Sequence, residues 1–112
     1  MNRLFLQEVF YCSLHLLKNG TAKTGNDCYV NIARNADGKF LQEDKTFNTD
    51  PFDFVMDEKN NGLYQYVLDA SDIDEINKPE SFTIYYKTII NNIEYNQSEQ
   101  LYYERKNKAK LV

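Results

Sequence analysis

The chain has 112 residues, with 42 % hydrophobic and 27 % charged side chains, so it reads as one small globular domain rather than a disordered segment. No apolar run reaches the roughly 18 residues of a membrane-spanning helix, and no charged leader followed by a small-residue cleavage site opens the chain, which argues against a signal peptide. Residues 1–104 hold 9 basic and 17 acidic side chains while Arg105 to Val112 return four positive charges; an acidic body repels phosphates, so general nucleic-acid binding is disfavoured.

Residues 3–18 alternate. Leu4, Leu6, Phe10, Cys12, Leu14 and Leu16 share one parity, interrupted by Glu8, and Arg3, Gln7, Tyr11, Ser13 and His15 hold the other together with Phe5, Val9 and Leu17. A two-residue period predicts a strand with one buried face. A helical stripe through Leu6, Phe10, Leu14 and Leu17 competes, but no good N-cap precedes it and the aromatic and β-branched content favours a strand. Asn19-Gly20 predicts a turn. Cys28, Val30 and Ile32 then alternate with Tyr29, Asn31 and Ala33, and Asn35-Ala36-Asp37-Gly38 turns the chain again. Lys39–Leu41 reads as a short edge piece and residues 42–51 as a polar surface loop.

Phe52, Phe54 and Met56 alternate with Asp53, Val55 and Asp57, predicting another strand that turns through Asn60-Asn61-Gly62 into residues 63–68. Residues 69–80 carry five acids against Lys78 and read as a solvated loop, with Ser71 and Asp74 placed to cap one helical turn. Phe82, Ile84, Tyr86 and Thr88 alternate with Thr83, Tyr85, Lys87 and Ile89. Asn91-Asn92 turns the chain into a last strand, Ile93 to Tyr103, with Leu101 and Tyr103 on one side and Tyr102 on the other. About seven strands at spacings near ten residues predict an all-β, antiparallel sandwich. Residues 1–104 form that domain, and 105–112 a basic C-terminal tail.

Little in the chain carries reaction chemistry. Two cysteines and one histidine fall short of the four ligands of a zinc site. On a strand, Cys12 and His15 face opposite sides, which is poor for a nucleophile pair. If residues 10–18 and 24–32 form a hairpin, Cys12 and Cys28 lie roughly opposite each other. Reduced, buried thiols are the favoured alternative to a disulfide. Asp72, Asp74 and Glu75 could gather round a calcium ion, but the loop lacks the glycine-containing order of an EF-hand, and solvated charge is the better reading. Phosphate-cradling glycine loops and a nucleophile elbow are missing from the sequence, and adjacent carboxylates on a strand point apart. A small sandwich offers no obvious cleft. The chain therefore reads as non-enzymatic, with no cofactor and no metal. Its nine tyrosines, including Tyr64/Tyr66, Tyr85/Tyr86 and Tyr102/Tyr103, suit protein interfaces or sugar stacking as well as cross-strand cover.

Asn19-Gly20-Thr21-Ala22-Lys23-Thr24-Gly25, the run Asn31 to Phe40, Met56-Asp57-Glu58 followed by Gly62-Leu63-Tyr64-Gln65-Tyr66, and Phe82-Thr83-Ile84-Tyr85-Tyr86 are turns and strands that resemble the immunoglobulin-like modules of tailed-bacteriophage virion proteins. The likeness covers about residues 4–90. It implies an immunoglobulin-like sandwich and a virion structural component assembled in the host cytoplasm, a capsid auxiliary or decoration protein or a tail or fibre module, with no catalytic residues to carry over. Its partners would be other virion proteins: the major capsid protein or a tail- or portal-associated one, with many copies on a lattice. Docking contacts are expected at the two ends: Arg3 and Phe5 on the face opposite the core, and Tyr102, Arg105, Lys106, Lys108 and Lys110 against an acidic surface. Two alternatives stand beside this. One is a tail or fibre module that contacts the host surface, perhaps a glycan. The other is an acidic soluble inhibitor of a host protein, which predicts one continuous face of carboxylates from Asp69 to Glu80.

Overall fold

The computed structural model describes residues 2–4, 9–18, 21–22, 27–76 and 78–103. They form strands β1 (Asn2–Leu4), β2 (Val9–His15), β3 (Leu17–Lys18), β4 (Thr21–Ala22), β5 (Asp27–Arg34), β6 (Phe40–Leu41), β7 (Phe47–Asn48), β8 (Phe54–Val55), β9 (Asp57–Asn60), β10 (Leu63–Asp69), β11 (Glu80–Ile90) and β12 (Ile93–Tyr103). One 3-10 turn, Ala70–Asp72, follows β10. The larger sheet has the order β1-β12-β11-β5-β6-β7, with β8 also paired to β5; the smaller has the order β2-β10-β9. All-β with antiparallel sheets packed as a sandwich is the predicted class, β3 and β4 forming a further two-stranded sheet, and a β2-β10-β9 layer against a β12-β11-β5 layer is the strand arrangement of an immunoglobulin-like sandwich. Among the described residues, the one parallel pair is β1 on β12.

Alternation sets the core. Cys12 and Leu14 from β2, Tyr64 and Leu68 from β10, Cys28, Val30 and Ile32 from β5, Phe82, Ile84 and Tyr86 from β11, and Leu101 and Tyr103 from β12 form one buried cluster. Their cross-sheet burial supplies the main stabilisation, at about 1.5–3 kcal/mol for each large apolar side chain. Two hairpins close on left-handed residues, Asn61 (φ 45°) and Gly62 (φ 78°) between β9 and β10, and Asn91 (φ 52°) and Asn92 (φ 63°) between β11 and β12. Positive φ at both central residues matches the right-handed twist of the flanking strands, and Asn and Gly tolerate it best.

Several local expectations need correction. The expected continuous strand over residues 3–18 is divided between sheets: β1 lies along β12, whereas β2 pairs with β10. The segment after Pro51 does the same at the opposite margin. There β8 joins β5 and β9 joins β10, with the Met56 N–H donating to the Cys28 carbonyl (2.9 Å) at the crossing. Strands that change sheets form the corners of the sandwich, so the chain itself ties both margins.

The hairpin of residues 10–18 with 24–32 that would have set Cys12 opposite Cys28 does not form. β2 and β5 belong to different sheets, and both cysteines are buried as free thiols within the core. β6 is not an edge, because β7 lies outside it. Nor is residues 42–51 wholly a loop: Phe47 is 8 % exposed and stacks on Phe82 with 6.1 Å between ring centroids. The 3-10 turn is capped by Asp69 rather than Ser71; its carboxylate accepts from the Ser71 N–H at 3.0 Å.

Candidate functional site

Among the described residues, two concave surfaces of more than 500 Å³ emerge, against the expectation of a sandwich with no obvious cleft. The first follows from unequal strand lengths. β11 and β12 run eleven residues each, β2 and β10 seven. Four extra residues extend the hairpin by about 13 Å at about 3.3 Å per residue. The inner face of that extension meets the end of β2 across a cleft of about 530 Å³, lined by Leu14, Leu16, Leu17, Thr88, Ile90, Ile93 and Tyr95, with Tyr86, Asn91, Asn96 and Gln97 completing it. Leu17 (56 %), Ile93 (55 %) and Tyr95 (53 %) remain more than half exposed.

Beside the cleft lies a buried polar chain. The Tyr86 hydroxyl donates to Glu99 Oε1 at 2.7 Å. Burial, and then that hydrogen bond, push the phenol well above its usual range. Burial likewise pushes the Cys12 thiol up to about 12, with the Glu99 carboxylate adding to the effect. A thiol held protonated in this way is a poor nucleophile. His15 is exposed on the opposite face of β2, its Nε2 2.9 Å from the Asn61 carbonyl, so the sequence reading that separates it from Cys12 holds.

The second surface is a groove of about 570 Å³ on the outer face of the larger sheet, lined by Asn31, Phe40, Pro51, Phe52, Asp53, Tyr85, Lys87, Glu94 and Asn96. Strand register builds it: Tyr85 lies opposite Asn31 and Ser98, and Lys87 opposite Tyr29 and Asn96. Asp53 accepts from Asn31 Nδ2 (2.7 Å) and from Lys87 Nζ (2.6 Å). Although partial burial opposes ionisation, these two bonds hold the Asp53 carboxyl below its usual range. Next to it, Thr83 donates to Asn35 (2.6 Å), Gln100 to Thr83 (2.8 Å) and Asn35 to Gln100 (3.0 Å), a polar ring joining β11, β12 and the turn after β5.

Of the residues expected to bind partners, Arg3 and Tyr102 are register partners in the β1–β12 ladder, and Tyr102 is half-buried on the outer side of β12. Phe5, Arg105, Lys106, Lys108 and Lys110 lie outside the described residues. Four of the five acids of residues 69–80 are engaged within the fold. Asp69 caps the 3-10 turn, Asp72 meets Lys45 (3.2 Å), Glu75 accepts from the Phe47 N–H (3.1 Å), and Glu80 lies 3.9 Å from Arg34. Among the described residues, no cluster of three or more metal-binding side chains forms. Both concavities escaped the sequence reading, although the exposed parity of Tyr85 and Lys87 and the length of residues 82–103 were signals for them. No protein-family model, no curated protein and no solved structure matches this chain.

Proposed function

We propose that the chain is a non-enzymatic virion structural protein of a tailed bacteriophage, a small auxiliary or decoration protein that docks on the capsid or head–tail assembly through protein contacts. The virion setting rests on the resemblance of its turns and strands. Docking is supported by one observation: the apolar end cleft, where Leu17, Ile93 and Tyr95 remain exposed together. Clustered exposed apolar side chains are costly in water and mark interaction surfaces. A stable dock covers roughly 800 Å² per partner, and the cleft with the overhanging hairpin supplies an anchor for that area. Many copies on a lattice would convert a modest single contact into firm retention.

Co-sedimentation with purified heads tests the reading. The expected result is retention in many copies, lost in Ile93→Asp and Tyr95→Asp variants that still melt cooperatively. Deletion of residues 105–112 should leave folding intact and weaken retention. Recovery only with a soluble host protein, or retention unchanged in both cleft variants, would overturn it.

A further inference from the structure

The groove on the outer face of the larger sheet differs in chemistry from the end cleft. One wall is aromatic: Tyr85 is 45 % exposed, and Phe40 stands 6.4 Å from it at 43°. The other wall is polar, built from Asn31, Asp53, Lys87 and the Asn96–Glu94 pair (3.0 Å). We propose that this groove binds an uncharged saccharide.

Three properties carry the assignment. First, a sugar ring has an apolar C–H face and a rim of hydroxyls, and the groove sets an exposed phenol ring beside a row of hydrogen-bonding groups. Second, each sugar hydroxyl both donates and accepts. Asp53 and Lys87, 2.6 Å apart, place an acceptor next to a donor, as a vicinal pair of hydroxyls requires. A carboxylate oxygen has capacity for two hydrogen bonds and an ammonium for three. The Asn31 and Lys87 bonds therefore orient the Asp53 carboxylate without exhausting the fork. Third, charge selects. Asp53 and Lys87 cancel, and Glu94 leaves the groove slightly negative, which disfavours phosphates and acidic sugars. The volume of about 570 Å³ falls in the range of small-molecule sites and accommodates about one or two hexose rings.

The groove lies on the outer face of the same sheet whose inner face lines the end cleft; Asn96 borders both, but Asn31, Phe40, Asp53, Tyr85 and Lys87 belong to the groove and not to the cleft, so this inference does not rest on the docking reading. An amide-proton NMR titration of the full chain with maltotriose, lactose and chitobiose tests it, with sialyllactose and glucose phosphate as anionic probes. The expected result is saturable shifts at Asn31, Tyr85 and Asn96 with at least one neutral sugar, weaker or missing with the anions. Tyr85→Ala should weaken binding about tenfold, the scale of one lost ring stack. Should Tyr85→Ala fail to fold, Asn96→Ala on the same exposed rim serves, with the same direction expected. Flat titrations with all three neutral sugars, tighter binding of an anion, or undiminished affinity in the folded variant would overturn the proposal.

Discussion

Tyr86 and Glu99 join the two strands of the long hairpin from the inside: the buried phenol donates a 2.7 Å hydrogen bond to the carboxylate two residues before Leu101. In antibody domains the strands equivalent to β2 and β11 are joined by a disulfide. Here β2 presents Cys12 as a free thiol, buried in the same cluster as Tyr86 of β11. Inter-sheet tethering thus passes from a covalent bond to packing, while the charge-assisted Tyr86–Glu99 hydrogen bond holds the two strands of the larger sheet together. Tyr86→Phe keeps the ring and removes the donor. It should cost about 1.5–3 kcal/mol, read as a lower midpoint of urea unfolding with an unchanged slope.

The raised pKa values of Cys12 and Tyr86 make the domain sensitive to alkali. For each group the folded state holds its proton more tightly than the unfolded chain, where ordinary values are 9.0 and 10.0. The stability they contribute is fully present below about pH 9 and is lost as pH rises toward 12, because only the unfolded chain then gains by ionising. The melting temperature should decline above pH 9. In the same preparation both thiols should resist alkylation at neutral pH and react together only on unfolding. Rapid labelling of the native chain would contradict their burial.

Val30 is fully buried on β5 within the core cluster. Val30→Asp places an unpaired carboxylate there and should cost several kcal/mol, enough to unfold the domain. Loss of amide dispersion in a proton NMR spectrum is the readout. A soluble, cooperatively melting variant would contradict the inward parity of β5.

Arg34 is a hub at the β5–β6 turn. Its guanidinium lies 4.2 Å from the centre of the Phe47 ring, 2.8 Å from Asp37, 3.6 Å from Glu75 and 3.9 Å from Glu80. Arg34→Ala removes both the cover on Phe47 and the cation facing the nearly buried Glu80, and should cost about 3 kcal/mol in chemical denaturation. The pH profile should change as well. The hydrogen bond from Arg34, followed by one from the Lys39 N–H, lowers the Asp37 carboxyl to about 2. The stability linked to this lowering, present above the ordinary value of 3.8 and lost as pH falls toward 2, should shrink in the variant to the part that Lys39 supplies.

The amino-acid order alone determined the strand class, the inward parity of residues 10–16, 28–32 and 82–88, and the turns at Asn61-Gly62 and Asn91-Asn92. These are local matters: side chains on a strand alternate with period two, and a left-handed turn is decided by the two residues that occupy it. Which strands become neighbours is a long-range matter. Tertiary structure split residues 3–18 between β12 and β10, placed Phe47 under Arg34, and set Cys12 and Cys28 in different sheets. It also made both candidate sites. The groove joins residues from Asn31 to Asn96, and the cleft exists because one hairpin outruns the sheet beneath it. Alternation reports which side of its own strand a residue occupies and carries no record of what the other strands leave uncovered.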